Sequence, residues 1–175
     1  LNGTCNYILT QMEESGRDFE DVLDDAQKLG YAEADPAFDI DGVDAAHKIA
    51  ILASLAFGCP VDFDALHIEG IRHVTALDIS YAAELGYRIK LLAIAQRGEG
   101  GIEQRVHPCM VPLHTPIAHV DGVFNAVVAE GDFVDQTVCE GRGAGAGPTA
   151  SAVAADLVDI ARGLNLAPFA VAASD

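Results

Sequence analysis

The sequence predicts an α+β fold in which a mostly antiparallel sheet packs against helices. Helical apolar periodicity fills the first half of the chain, closely spaced strands follow from Arg88 to Glu140, and a helical pattern returns near the end. At 175 residues, half of them hydrophobic, the chain is long enough for one domain with a sizeable core. We assign residues 1–165 to this domain and residues 166–175 to an apolar tail without a recognisable pattern.

Four helices are predicted before the first long strand, at residues 4–13, 18–29, 43–58 and 76–86. Each ends at or near a glycine, a residue that commonly terminates helices. In the second helix the apolar side chains share one face, namely Phe19, Val22, Leu23 and Ala26. An extended acidic loop precedes the third helix, for which Asp41 is the predicted N-cap and Asp44 the third helical position of a capping box.

The second half of the chain has the period of strands. Strands are predicted at residues 88–96, 102–113, 124–129 and 133–140. Glycine-containing turns join them in pairs, at Gly98–Gly101 and at residues 130–132. A helical turn is predicted at residues 115–120 and a final helix at residues 148–163. Residues 62–75 are ambiguous, with room for a short strand.

The composition excludes several classes of partner. Ten lysines and arginines stand against 27 aspartates and glutamates, giving a formal net charge of −17, which disfavours nucleic acid and anionic membranes. No apolar run reaches the roughly 18 residues of a membrane span. The four cysteines form no CxxC pair, which is typical of reduced thiols in a cytoplasmic protein. Because the chain begins at Leu1 without a signal-peptide pattern, we interpret it as part of a longer polypeptide.

Lys48 is the most informative single residue. It follows Asp44 by one helical turn and shares a row with Ile51 and Leu52, which predicts that it lies on the face entering the core. One interpretation is a lysine that extends to solvent and pairs with Asp44. A second is a partly desolvated ammonium whose pKa falls toward neutrality, so that it exchanges a proton with a substrate oxygen. A Schiff-base lysine is a third.

The acidic loop before this helix has two readings as well. Glu33, Asp35 and Asp39 form either a solvated surface of an acidic protein or a set of carboxylates that converge on the ammonium of a small cationic or zwitterionic ligand. Thr4, near the start of the first helix, is either a helix cap or a contact for a ligand carboxylate.

The segment Gly141–Thr149, GRGAGAGPT, lies between a predicted strand and a predicted helix. It is either a flexible turn or a backbone cradle for an anion, and it lacks the GxGxxG unit of a dinucleotide site. The histidines and cysteine at the end of the second strand fit no common zinc spacing, so no metal site is predicted: His107, Cys109, His114 and His119.

Three motifs resemble the C-terminal substrate-binding and dimerisation portion of homoserine dehydrogenase: LNGTCNYIL, GYAEADPAFDIDGVDAAHKIAILA and GRGAGAGPTASAV. The resemblance covers about residues 1–165. It implies an NAD(P)-dependent oxidoreductase of threonine and methionine biosynthesis that interconverts L-homoserine and L-aspartate 4-semialdehyde. It also implies a homodimer or larger assembly, paired through the antiparallel sheet.

The resemblance also implies roles for individual residues. Lys48 matches the family's catalytic lysine, which gives and takes the proton at the substrate oxygen, and we assign Asp44, a member of the substrate pocket, to catalysis with it. Glu33 matches the carboxylate that holds the substrate's amino group. Four further residues match the family's substrate pocket, namely Tyr31, Asp39, Gly3 and Thr4. Gly143 and Gly145 match the backbone around the nicotinamide.

The chain departs from the complete family pattern, because the sequence does not include the family's second functional lysine, its metal-ion loop or the regulatory domain of many members. The family's Rossmann domain, which binds most of the NAD or NADP and sets the preference between them, is not in this sequence. We therefore expect this portion alone to have little or no dehydrogenase activity. The alternative is a non-catalytic module of the same fold that binds an amino acid or mediates oligomerisation. The presence of Glu33, Asp44 and Lys48 favours the enzyme.

Overall fold

The predicted helices and strands occur in the predicted order, but the loop predicted to be extended up to Asp41 contains one further short helix, Ala37–Ile40. The structure is a computed structural model that describes residues 1–164, and the predicted tail at residues 166–175 lies outside them. The elements, in chain order, are helices α1 (Gly3–Ser15), α2 (Phe19–Lys28), α3 (Ala37–Ile40) and α4 (Val43–Phe57), strand β1 (His67–Ile68), helix α5 (Ala76–Glu84), strands β2 (Tyr87–Gly98) and β3 (Gly101–Pro112), a 3₁₀ helix (Pro116–His119), strands β4 (Phe124–Gly131) and β5 (Asp135–Arg142), and helix α6 (Ala146–Ala161).

The strands of the described residues form two sheets. In the first, of order β1-β3-β2, the long β2–β3 hairpin is antiparallel and turns within Gly98–Gly101, as predicted. The short β1 adds to β3 in parallel, with His67 opposite Arg105, so this sheet is mixed. In the second, β4 and β5 form an antiparallel pair. The predicted α+β class is confirmed.

Two groups of buried side chains hold the first 120 residues together. One lies among α1, α2 and α5, where Ile8, Met12 and Val22 are fully or almost fully buried. The other lies between α4 and the mixed sheet, where Ala46 and Val106 are completely buried. Alanine on the inner face of α4 lets that helix approach the sheet closely, which fixes where its other face emerges.

The residues after Val120 pack much less. Every residue of β5 and α6 is exposed, although α6 is rich in alanine, valine and leucine. β5 begins at Asp135, two residues later than predicted, because Phe133 and Val134 belong to the turn. Phe133 is 99% exposed, so its β-forming side chain has no sheet face to cover.

The prediction that Asp41 is the N-cap of α4 is wrong. The N-cap is Gly42, with φ +84°, and no side chain caps the helix. Asp41 instead forms a bidentate ion pair with Arg72, and the Asp44 carboxylate accepts hydrogen bonds from Asn2 and Lys48. The reason is steric, since a Cβ on Gly42 would lie 3.3 Å from the Glu69 carbonyl oxygen, and only glycine adopts this turn there without strain.

Candidate active site

The turn between α3 and α4 places two acidic side chains at one end of the domain. Gly70 packs so tightly on this turn that a Cβ there would overlap the carbonyl oxygen of Ile40. The Ile71 N–H donates to that same carbonyl at 2.8 Å. Residues 69–72 therefore fix the backbone from which Asp39 and Asp44 project.

Lys48 lies at the surface of this end of the domain. Its Nζ donates to Asp44 Oδ2 at 2.7 Å and to the Leu1 carbonyl at 3.0 Å. The Lys48 side chain is 48% exposed, and its neighbours Ile51 and Leu55 are exposed as well. The prediction that Lys48 lies on the core-facing side of α4 is therefore wrong.

The face of α4 that does enter the core is made of smaller side chains: Ala45, Ala46, Ile49, Ala50 and Ala53. Hydrophobicity alone favoured the Ile51 side, but a close helix-to-sheet contact selects small residues. The observed geometry is that of the extended, Asp44-paired lysine. The ammonium is held at one end by acceptors of the protein and remains open to a ligand.

Asn2 is the residue that sequence reasoning missed. Its Nδ2 donates to Asp39 Oδ1 at 2.6 Å and to Asp44 Oδ2 at 2.8 Å. Its Oδ1 accepts from the Cys5 N–H at 2.8 Å and caps α1. One amide thus joins the start of α1 to both carboxylates. The signal was available, since asparagine is a strong N-cap and precedes the glycine and threonine that were selected.

The first turn of α1 brings further predicted residues to the same place. The Thr4 hydroxyl lies 3.0 Å from both Asp39 Oδ2 and the Tyr31 carbonyl, and its single proton serves one of them at a time. The Tyr31 ring packs on Tyr7, with 4.7 Å between ring centroids. Burial, followed by the charge of Asp39, raises the pKa of the Cys5 thiol far above its ordinary value, so this thiol stays protonated.

Glu33 lies apart from this network. Its side chain is exposed, and within residues 1–164 its carboxylate makes no hydrogen bond or ion pair, although its carbonyl accepts from Gln27 at 2.9 Å. Asp35 has a local role, since its Oδ1 accepts from the Ala37 N–H at the start of α3. Of the predicted acidic loop, only Asp39 joins the contacts around Lys48 and Asp44.

The glycine-rich segment reaches the start of α1 through Asn125 of β4. A Cβ on Gly143 would lie 2.5 Å from Asn125 Nδ2, and one on Gly3 would lie 3.7 Å from the same atom. Asn125 and Leu1 also line an open cavity of about 320 Å³, together with Gly141. Gly145, with φ +112°, is the N-cap of α6.

A second lysine, Lys90, is the buried one. Its Nζ donates to the Val120 carbonyl at 2.7 Å, to Asn6 Oδ1 at 3.0 Å and to Asp121 Oδ1 at 3.3 Å. Burial lowers the pKa of Lys90, and Asp121 opposes that shift. The Asn6 amide also donates to the carbonyls of Val120 and Gly122, so this cluster ties α1 to the start of β4.

The residues considered for a metal lie on the mixed sheet. His107 Nδ1 is 3.4 Å from Cys109 Sγ, and burial raises the pKa of that thiol. Among residues 1–164, no three His, Cys, Asp or Glu side chains are grouped so that they would hold a metal ion. No helix in that range has the length and apolar composition needed to cross a bilayer.

The fold and the site together define an α+β domain with an accessible lysine–carboxylate pair at one end. Comparison with known proteins gives the family. The family model for homoserine dehydrogenase matches residues 1–158, and the chain belongs to that family.

Relatives from several bacteria agree. The homoserine dehydrogenase of Pseudomonas aeruginosa is 56% identical over 168 residues, which are 96% of this chain and 39% of that protein. That of Neisseria gonorrhoeae is 57% identical over 162 residues, 93% of this chain and 37% of that protein. The chain therefore spans well under half the length of these relatives.

Solved structures show the same relationship. A homoserine dehydrogenase from Thiobacillus denitrificans superposes with a TM-score of 0.90 at 58% identity, covering 92% of this chain and 37% of that one. A hyperthermophilic archaeal homoserine dehydrogenase in complex with NADPH has a TM-score of 0.71 at 32% identity, covering 91% of this chain and 44% of that one.

Proposed function

We propose that this chain supplies the substrate-binding and catalytic residues of an NAD(P)-dependent homoserine dehydrogenase. The reaction is the interconversion of L-homoserine and L-aspartate 4-semialdehyde in threonine and methionine biosynthesis, in the cytoplasm. The observation that carries the proposal is the accessible Lys48 ammonium, held 2.7 Å from Asp44 Oδ2 in a chain of this family.

Lys48 has the chemistry that the reaction needs. Reduction of the semialdehyde adds a hydride to the carbonyl carbon and a proton to the carbonyl oxygen. The nicotinamide, when bound, supplies the hydride. Lys48 gives its proton to the oxygen, leaving a neutral amine and the hydroxyl of homoserine, and it takes the proton back in the reverse direction. Asp44 stabilises the charged form and keeps Nζ in one place.

The substrate is a small zwitterion, and we assign its two charged ends to different parts of the site. The exposed carboxylate of Glu33 holds the ammonium group. The substrate carboxylate lies at the N-terminus of α1, where Gly3 and Thr4 present backbone N–H groups and the positive end of the helix dipole. Asp39 and Tyr31 complete the pocket beside Thr4.

The glycine-rich segment suits a bound nicotinamide. Gly143 lies so close to Asn125 that no side chain fits between them, and a bare backbone can approach a ligand closely. Gly143 and Gly145 would hold the nicotinamide end of the cofactor at the mouth of the cavity beside Leu1. We assign the rest of the nucleotide, and the choice between NAD and NADP, to residues outside this sequence.

Subunit contact is the second role. Within the described residues, β4 and β5 pair only with each other, so both outer edges of this sheet are open. Val127 pairs with Cys139 and Val138 with Val128, and the side chains of Val127 and Val138 remain partly exposed. Open edges with apolar side chains favour association with a second copy. Sedimentation at a dimer mass would support this role, and a monomer at high concentration would contradict it.

The catalytic proposal is tested in a full-length enzyme in which this chain replaces the matching segment of the Pseudomonas aeruginosa relative, called the exchange enzyme below. We expect Lys48→Ala to lower kcat by on the order of 10²-fold or more, because the proton donor is lost. Lys28→Ala is the matched control, since Lys28 is a surface lysine paired with Asp25. Unchanged turnover of Lys48→Ala would show that Lys48 is not the proton donor and would leave it as a surface lysine paired with Asp44.

A separate assay tests the 175-residue chain by itself. We expect little or no oxidation of NADPH with aspartate 4-semialdehyde, because most of the nucleotide contacts are assigned to another domain. Ordinary turnover by the isolated chain would refute that assignment.

A further inference from the structure

Asn2 makes more contacts than a helix cap requires. A cap uses only the side-chain oxygen, and Asn2 Oδ1 accepts from the Cys5 N–H at 2.8 Å. Both protons of its amide nitrogen are used as well, on Asp39 Oδ1 and Asp44 Oδ2. The residue is only 8% exposed, so none of these groups has water as an easy substitute. The amide nitrogen therefore needs an explanation beyond capping.

The two carboxylates explain it. Asp39 comes from α3 and Asp44 from α4, and both approach one nitrogen to within 2.8 Å. Two like charges at this separation repel, and a neutral group with two protons satisfies both without adding charge. Serine and threonine caps are too short to reach both acids, and an aspartate cap has no proton to give. Among strong N-cap residues, asparagine alone fits.

Leu1 and Asn2 together also hold Lys48. Lys48 Nζ is bonded on one side to Asp44 Oδ2, the oxygen that Asn2 holds, and on the other to the carbonyl of Leu1. The residues before α1 thus restrain the acid through a side chain and the ammonium through a backbone carbonyl. A half-exposed lysine has a flexible stem, so its position depends on these fixed partners.

We propose that Asn2 is a positioning residue, which fixes the separation of Asp39 and Asp44 and thereby aims the Lys48 ammonium at the substrate oxygen. This inference rests on the proposed function of Lys48. Asn2 acts through Asp44 and does not touch the reacting atoms. Its loss should therefore appear mainly in kcat and much less in KM.

The test uses Asn2→Ser and Asn2→Asp in the exchange enzyme. Both substitutions keep a strong N-cap for α1 and remove the two donor bonds. We expect kcat to fall by on the order of 10²-fold in each, because small displacements of a catalytic group have effects of this size. Thr75→Ala is the control, since it removes the cap of α5 at a site away from Lys48.

The outcomes separate the two proposals. If Lys48→Ala loses activity while both Asn2 variants keep kcat within about twofold of the parent, the positioning role is overturned and the function of Lys48 stands. A loss confined to KM, or unfolding of both Asn2 variants while Thr75→Ala folds, would also overturn it. If Lys48→Ala keeps its activity, both proposals fail together.

Discussion

Lys48 and Lys90 are two lysines of one domain in opposite environments. Lys48 is half exposed and binds Asp44 Oδ2 at 2.7 Å, with an open side toward solvent. Lys90 is 4% exposed and is surrounded by protein acceptors on α1 and on the segment before β4. A proton donor must reach a ligand, so the accessible lysine is suited to chemistry and the enclosed one to architecture.

The two lysines also differ in whether water can hydrate their hydrogen-bond partners once the lysine is removed. Water can hydrate Asp44 if Lys48 is removed, because the site is open. It cannot easily reach the buried acceptors around Lys90, of which Asn6 Oδ1 would then lose its donor. Stability should therefore respond to Lys90 and activity to Lys48. The following substitutions test that separation.

The largest loss of stability is expected from Lys90→Met. Methionine fills a similar volume but leaves Asn6 Oδ1 without its donor, and the Val120 carbonyl keeps only its bond from the Asn6 amide. Breaking such a cluster costs about 2–4 kcal/mol of unfolding free energy. Urea unfolding of the chain, followed by circular dichroism, measures this. Lys28→Met is the control at an exposed position, and an equal effect of the two substitutions would contradict the account.

A smaller loss is expected from Gly70→Ala, which links the scaffold to the site. The added methyl group would overlap the Ile40 carbonyl, so the α3–α4 turn must shift. We expect a loss of about 1–3 kcal/mol, the usual cost of overpacking, and reduced kcat in the exchange enzyme because Asp39 and Asp44 move. At Gly100 a Cβ has open space, and Gly100→Ala is the control. Wild-type stability of Gly70→Ala would show that the turn is not constrained.

Lys48→Ala should change stability by less than about 0.5 kcal/mol, since half-exposed ion pairs contribute little. The same substitution is expected to lower kcat strongly, so it separates a role of Lys48 in activity from a role in stability. Thermal unfolding of the same preparation that is assayed for turnover gives both values. A loss of stability comparable to that of Lys90→Met would mean that Lys48 is structural.

The smallest effect expected is a pH dependence from Lys90. Burial lowers the pKa of Lys90 in the folded chain, whereas the pKa of a lysine in an unfolded chain is about 10.4. Between these values the unfolded state binds more protons, so the contribution of Lys90 to stability rises with pH. The difference in unfolding free energy between the parent and Lys90→Met should therefore increase as the pH is raised toward about 10. A flat or falling difference would argue against the burial of a charged group.

Much of the fold is visible in the sequence because it depends on local signals. The apolar face of α2, from Phe19 to Ala26, is buried as predicted, and the glycines at 98 and 101 close the β2–β3 hairpin. The parallel pairing of β1 was not predicted, since two residues carry no periodicity that would show their partner. The late start of β5 has a similar cause, because Phe133 favours a strand only where a sheet face is available.

The site is predictable in its parts but not in its connections. Lys48, Asp44, Asp39 and Thr4 lie in one network, and a resemblance of motifs suggested each of them. Asn2, which joins two of these acids, has no spacing signal, since Asp39 follows it by 37 residues. The orientation of α4 was wrong for a related reason, because which face enters the core depends on the sheet that it meets.

A crystal structure of the exchange enzyme with L-homoserine and the oxidised cofactor tests the central claim most directly. The account predicts that Lys48 Nζ lies within about 3 Å, hydrogen-bond distance, of the homoserine hydroxyl oxygen. It also predicts that Asp44 still bonds to Lys48 and that Glu33 binds the substrate ammonium. A substrate bound with its hydroxyl out of reach of Lys48, and beside another proton donor, would contradict it.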